Sequence, residues 1–140
     1  MDAQANKQKL QSVFAEWAKG DVRPLIAAMA DDCAWTFPGD GTWSGSFRGK
    51  RSVIEDLLKP LGAQFATPYL SRASRFVADG DTVVVECRGD AQTKRGDRYD
   101  NAYCYVFRFH DSGQLAEITE YMDSALAERV LEPLPRRPER

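Results

Sequence analysis

The second half of the chain consists of four strand-like runs divided only by turn-length breaks. Tyr69 to Ala78 ends at Asp79-Gly80, Thr82 to Thr93 at Arg95-Gly96, and Arg98 to His110 at Asp111-Ser112-Gly113. Leu115 to Ser124 completes the series. Runs rich in Val, Thr, Tyr and Phe, bounded by Gly and Asp, predict consecutive strands in a meander. A sheet of that length has to cover at least one of its faces, and the first half of the chain supplies the cover. Leu10, Val13, Phe14 and Trp17 recur at i, i+3, i+4 and i+7, one apolar stripe of a helix that Gly20 can terminate. Asp21 can cap a second helix with Pro24 in its first turn, burying Leu25, Ile26 and Met29 and ending at Asp31-Asp32. Lys50 to Leu61 predicts a third, with Val53, Ile54, Leu57, Leu58 and Leu61 inward and Pro60 fraying its last turn.

Between the second and third helices, Cys33 to Phe37 predicts a short strand and Pro38-Gly39-Asp40-Gly41 a loop. A Gly- and Ser-rich stretch then carries Trp43 and Phe47 to Gly49. A short helix is expected over 125–131, and the Pro- and Arg-rich tail from Pro133 to Arg140 is expected to be mobile. Helices followed by a strand meander define the α+β class. The expectation is one domain over 1–140 with an ordered core from about 8 to 131: a curved, antiparallel-rich sheet packed against three N-terminal helices.

Composition narrows the function. Hydrophobic residues make up 43% and charged residues 29% of the 140, as in an ordinary globular domain. The net charge of −2 lacks the basic excess of a nucleic-acid binder. No apolar run approaches the ~18 residues a membrane span needs, and the polar start MDAQANKQKL lacks a signal peptide's apolar core. A cytoplasmic protein without nucleic-acid or membrane partners is expected. Cys33, Cys87 and Cys104 are odd in number and form no C-x-x-C, so they read as reduced thiols. The single histidine, His110, has no companions for a metal site. Neither a metal nor a cofactor is expected.

Several strings, in order, resemble the SnoaL-like proteins and ketosteroid isomerases of the nuclear transport factor 2-like superfamily. They are Trp17-Ala18-Lys19-Gly20-Asp21, Met29-Ala30-Asp31-Asp32, Phe47-Arg48-Gly49 and Ala78-Asp79-Gly80-Asp81. Then follow Tyr99-Asp100-Asn101-Ala102-Tyr103, running on through Phe107, and Glu120-Tyr121-Met122-Asp123. Together they span roughly residues 10 to 125. The resemblance implies a cone-shaped, cystatin-like roll with a deep pocket on its concave face, usually in a homodimer. It places Phe37 and Tyr105 where ketosteroid isomerases carry a base Asp and an oxyanion Asp, and Val13-Phe14 where they carry an oxyanion Tyr. It sets Tyr105, Tyr103 and Glu120 against the Asp-Arg-Asp set of limonene-epoxide hydrolases. Both sets are broken here, so the resemblance implies the fold and not either mechanism.

Strand register yields a candidate site directly. With Arg95-Gly96 as a two-residue turn, Lys94 pairs with Asp97, Arg88 with Tyr103 and Glu86 with Tyr105. With Asp111 to Gln114 as the next loop, Tyr105 pairs with Glu120 and Tyr103 with Met122. Opposed residues share a face, so Glu86, Arg88, Asn101, Tyr103, Tyr105, Glu120 and Met122 are expected to converge, continued into the core by Phe107, Phe109 and Ile118. A carboxylate among aromatic rings loses water and its pKa rises toward that of a general acid or base. On this reading Glu120 is the acid/base, with Tyr103, Tyr105 and Asn101 orienting the substrate. Arg88 could clamp a substrate carboxylate. Trp17, Trp35, Phe37 and Trp43 are either core packing or pocket lining, and Glu86, Arg88 and Glu120 could instead form a structural ion cluster. The other face, with Val83, Val85, Cys87, Ala102, Cys104 and Val106, suits a second subunit's sheet.

Two functions follow. One is a cofactor-independent acid/base enzyme of isomerase, cyclase, dehydratase or epoxide-hydrolase type, acting on an apolar oxygenated small molecule. The other is a non-catalytic ligand-binding or dimerisation module. The enzyme requires a pocket carboxylate with a displaced titration, whereas the module would have its carboxylates neutralised by Arg88.

Overall fold

The computed structural model describes residues 2–140. Helix α1 (Ala3–Trp17) starts earlier than its apolar stripe alone requires, because the Asp2 carboxylate accepts from the Ala5 amide at 2.8 Å and caps it. Gly20, at φ 92°, turns the chain out of the helix. Helix α2 (Arg23–Ala28) is shorter than expected. Met29 begins strand β1 (Met29–Phe37) instead of closing the helix, and Asp31-Asp32 lie within that strand. The Gly/Ser-rich stretch contains a further strand, β2 (Gly45–Arg48), which pairs antiparallel with β1 through Trp35 and Phe47.

The third helix runs over 50–62. Its ends, Lys50–Ser52 and Lys59–Gly62, are α-helical, and Val53–Leu58 between them forms a wider π-helical stretch. Pro60 does not fray it. A proline ring clashes with the carbonyl four residues back in an α-helix. The widened turn, in which the Lys59 amide reaches the Ile54 carbonyl, precedes that proline.

Strands β3 (Leu70–Asp79), β4 (Thr82–Asp90), β5 (Ala102–Phe109) and β6 (Leu115–Met122) form the expected meander. The sheet order is β2-β1-β6-β5-β4-β3, antiparallel throughout except for the parallel β1–β6 pair. Irregular register interrupts β1, β3 and the β5–β6 hairpin. Bulges of this kind bend strands, and the sheet curves around the helices. Its inner face carries Cys33, Trp35, Phe37, Val83, Val85, Tyr105, Phe107, Phe109 and Ile118, all buried against Leu10, Val13, Phe14 and Trp17 of α1 and Val53 and Leu57 of the third helix.

One expected register is wrong by a residue. The β4–β5 turn has three residues, Lys94-Arg95-Gly96, not two. The Thr93 amide donates to the Asp97 carbonyl at 2.8 Å and Gly96 sits at φ 97°, the left-handed position that closes such a loop. The pairs are therefore Glu86 with Cys104, Cys87 with Tyr103 and Arg88 with Ala102. A slip of one residue turns every side chain of a strand to the other face. Glu86 and Arg88 are exposed on the outer face, where Glu86 pairs with Arg75 at 2.8 Å, while Val83, Val85 and Cys87 point into the core. The β5–β6 register is as expected, with Tyr105 opposite Glu120 and Tyr103 opposite Met122.

The C-terminal segment packs against this frame. The C-terminal helix (Ser124–Val130) is capped by Asp123, whose carboxylate accepts from the Leu126 amide. The tail packs along the sheet: Leu134 is buried, and Glu139 exchanges backbone hydrogen bonds with Ser46 on the edge strand β2. Among the described residues no helix is long and apolar enough to cross a membrane.

Candidate active site

A cavity of about 240 Å³ opens between the concave face of the sheet and the helices. Its wall is almost wholly apolar or aromatic. Trp17 comes from α1, Leu57, Leu58 and Leu61 from the third helix, Trp35 and Phe37 from β1, Trp43 from the loop after β1, and Leu131 from beyond the C-terminal helix. Phe65, Pro68 and Tyr69 come from the segment entering β3, and Tyr99, Tyr103, Tyr105, Glu120 and Met122 from the β5–β6 hairpin and its approach. Edge-on and stacked aromatic pairs fix the rings: Trp35 lies 6.0 Å from Tyr105 at 83°, and Tyr103 stacks on Tyr105 at 5.5 Å.

Among the described residues Glu120 is the sole carboxylate of this wall, and only 7% of it is exposed. The Trp35 indole Nε1 donates to its Oε1 at 3.1 Å, and the Tyr105 hydroxyl also hydrogen-bonds to the carboxylate. Among the described residues no cation pairs with it. Burial raises its pKa from 4.5 to about 7, and the Tyr105 and Trp35 hydrogen bonds oppose that rise without cancelling it. The group therefore divides between acid and base near neutrality. The phenols stay protonated there. Burial lifts Tyr69, Tyr103 and Tyr105 well above the usual range and pushes Tyr99 up to about 12.

At one end of the cavity the Tyr69 hydroxyl donates to Tyr103 at 2.5 Å. Asn101 Nδ2 donates to the Tyr99 hydroxyl at 2.9 Å and to the Asp123 carbonyl at 3.1 Å. Its Oδ1 accepts from the amides of Ala102 and Asp123.

The structure thus brings Glu120, Tyr103, Tyr105, Met122, Trp17, Trp35, Phe37 and Trp43 together at one cavity. It separates three residues from them. Glu86 and Arg88 lie on the outer face because of the three-residue turn. Asn101 is fully buried behind the wall, and its amide is spent on Tyr99 and backbone groups, so it does not touch the cavity itself. Two wall phenols were not foreseen. Tyr99 was legible, since it continues the period-two series of Asn101, Tyr103 and Tyr105. Tyr69 was not, because it precedes its strand and reaches Tyr103 only through the curvature of the sheet.

Three further groups bear on chemistry. Burial pushes the thiols of Cys33 and Cys87 up to about 12, which leaves them unreactive. His110 sits away from the cavity and bonds Asp32 at 2.8 Å on the surface. Among the described residues no cluster of three or more His, Cys, Asp or Glu could hold a metal ion.

The family model of the SnoaL-like domain matches residues 10–118, more than three quarters of the chain. The chain belongs to the SnoaL-like family. No curated protein matches it. Solved structures share the SnoaL-like fold. One is a nuclear transport factor 2-like protein of unknown function from Burkholderia pseudomallei, 22% identical, with a TM-score of 0.76 over 89% of this chain and 95% of that one. Another, named a SnoaL-like polyketide cyclase, comes from Jannaschia, 17% identical with a TM-score of 0.75 over 91% and 92%. A limonene-epoxide-hydrolase-like enzyme of Mycobacterium tuberculosis is 20% identical with a TM-score of 0.69 over 91% and 89%. At these identities the likeness extends to the SnoaL-like fold alone.

Proposed function

We propose that this SnoaL-like protein is a cofactor-independent acid/base enzyme acting on a small, apolar, oxygenated molecule, with Glu120 as the group that takes and returns the proton. The observation that carries this reading is an ionisable carboxylate in the wall of an aromatic cavity, with no counter-cation among the described residues. A structural carboxylate at such a depth ordinarily has a cationic partner. Arg88, which could have supplied one, lies on the opposite face of the sheet. That favours the enzyme over the purely binding module. Tyr105 and Trp35 hold the carboxylate in one orientation, and the protonated phenols can donate to a developing oxyanion. The chemistry fits isomerisation, cyclisation, dehydration or epoxide opening. Two of the structurally similar proteins carry the names polyketide cyclase and epoxide hydrolase, which lie within that range.

The test is exchange of the α-hydrogens of 2-tetralone in D2O, followed by NMR. The protein is expected to accelerate exchange over buffer, with a rate that rises through pH 7 as Glu120 becomes the base. Glu120→Gln should return the rate to that of buffer. Equal exchange by wild type and variant would remove Glu120 from its role. We further propose a homodimer through the outer face of the sheet, where Val77 and Tyr121 are each 51% exposed.

A further inference from the structure

The third helix separates two recesses. It turns Leu57, Leu58 and Leu61 to the aromatic cavity, and Arg51, Ser52, Glu55 and Asp56 to a groove of about 680 Å³. Arg48 of β2 and Arg136, Arg137 and Glu139 of the C-terminal tail line the same groove. Four arginines thus converge in a chain whose net charge is −2.

These four arginines are under-used. On other parts of the surface Arg23, Arg72 and Arg75 each meet a carboxylate at 2.8 Å. In the groove Arg48 stands 3.9 Å from Glu139, and Arg136 stands 3.7 Å from Asp56 and 4.0 Å from Glu139. Those separations exceed the length of a hydrogen bond. Arg51 and Arg137 pair with no carboxylate among the described residues. The acidic neighbours are partly engaged by other groups. Lys59 meets Glu55 at 2.8 Å, and the Ser52 hydroxyl donates to Asp56 at 2.8 Å. Counting Lys59, five cations face three carboxylates, a surplus of two. A guanidinium offers five N–H donors in a planar fork that fits phosphate oxygens two at a time. All four arginines are exposed, so those donors are open to a ligand.

We propose that the groove binds a soluble phosphomonoester, with its phosphoryl group held between Arg51 of the third helix and Arg137 of the tail. Arg48 and Arg136 complete the set of donors. The surplus of two positive charges matches the near-dianion that a phosphoryl group carries at neutral pH. The volume leaves room for the organic remainder of a small molecule. A membrane headgroup fits less well. The apolar side chain lining the groove, Phe47, is 2% exposed and offers nothing to insert into lipid, and Glu55 and Glu139 would face an anionic surface. The ligand would be held by both ends of the chain at once. Ser46 and Glu139, which exchange backbone bonds at 2.6 and 2.8 Å, line the groove too, so an occupant pins the tail to β2 and the helix. The site is separate from Glu120 and stands whether or not the cavity is catalytic.

The test titrates phenyl phosphate into the full chain by calorimetry at pH 7.5 and low salt, with benzenesulfonate as a monoanion carrying the same ring. Wild type should bind the phosphate ester at submillimolar concentration and at least fivefold more tightly than the sulfonate. Arg51→Ala and Arg137→Ala should each weaken the ester about fivefold to tenfold, as loss of a screened, charge-assisted contact implies. Glu139→Gln frees Arg48 and Arg136 and should tighten binding about twofold to fivefold. Arg129→Ala removes an exposed arginine outside the groove and should change nothing, and unaltered urea midpoints show that the variants fold. In hydrogen exchange, phenyl phosphate should slow the Ser46 and Glu139 amides in wild type and not in Arg137→Ala.

Equal weakening in Arg129→Ala and Arg51→Ala would mean attraction to overall charge and overturn the site. Absence of binding in wild type, unchanged affinity in both groove variants, or weaker binding in Glu139→Gln would do the same. Unchanged exchange at Ser46 and Glu139 under saturating ester would overturn the pinning of the tail. Flotation with phosphatidylcholine vesicles containing phosphatidic acid checks the source of the phosphate. Retention on them that phenyl phosphate abolishes would replace the soluble ester with a lipid headgroup and overturn that part of the assignment.

Discussion

Replacing Glu120 with glutamine changes how the stability of the protein responds to pH, whatever its substrate. The carboxyl has a pKa of about 7 in the folded state against 4.5 for an ordinary glutamate, and burial is the main cause. The folded state therefore holds the proton more tightly than the unfolded state does. Between pH 4.5 and 7 folding retains protons that the unfolded chain has released, so stability falls as pH rises through that window. Below it the contribution is fully present, and above it the loss is complete. Each pH unit between the two values is worth ~1.4 kcal/mol, which puts the total loss at about 3 kcal/mol. Glutamine is isosteric, never ionises, and still offers an oxygen to the Trp35 indole. Urea unfolding of both proteins from pH 4 to pH 8 isolates the effect, since every other titrating group is common to the two. The variant should match wild type within about 1 kcal/mol at pH 4 and exceed it by about 3 kcal/mol at pH 8. Parallel curves across the window would mean that Glu120 titrates like an exposed carboxyl, and the argument from burial would fail.

Other perturbations test other parts of the structure. Gly89 has no room for a side chain, since a Cβ there would overlap the Tyr69 hydroxyl. Gly89→Ala should cost roughly 1–3 kcal/mol in urea unfolding and break the Tyr69–Tyr103 bond, and an unchanged midpoint would contradict the packing. Glu86→Ala and Arg88→Ala should each shift stability by less than about 0.5 kcal/mol and leave the 2-tetralone exchange rate unaltered, because both side chains face away from the cavity. A large loss of exchange in either would restore the two-residue turn. Tyr121→Lys should convert a dimer into a monomer in light scattering coupled to size exclusion, and a wild type already monomeric would remove the outer-face interface.

The parts of the molecule legible in the sequence were those fixed by periodicity. The stripe of Leu10, Val13, Phe14 and Trp17 specified α1, and the alternation in β5 and β6 placed Tyr103, Tyr105, Glu120 and Met122 on one face. Registers that depended on a loop were less secure. Arg95-Gly96 satisfies a two-residue turn as readily as the last two places of a three-residue one, and only the Thr93–Asp97 bond decides between them. That single residue moved Glu86 and Arg88 out of the site. Strand β2 escaped notice because Gly45-Ser46-Phe47-Arg48 has little intrinsic strand preference. Its pairing with β1 overrides that composition. Asn101 was recognised by its face but not by its role, since only its four hydrogen bonds reveal that it supports the wall from behind.

The last residues of the chain fasten two things at once. Glu139 hydrogen-bonds along β2, an edge of the sheet that would otherwise offer free amides and carbonyls to another molecule. Arg140 reaches the carbonyls of Asp40 and Gly41, and Glu128 accepts from the Thr42 amide at 2.6 Å, so the loop bearing Trp43 is moored to the same C-terminal segment. Trimming the chain before Pro138 would therefore expose a sticky border while slackening one lip of the hollow. Clumping and quicker entry of small molecules should emerge together from that one cut.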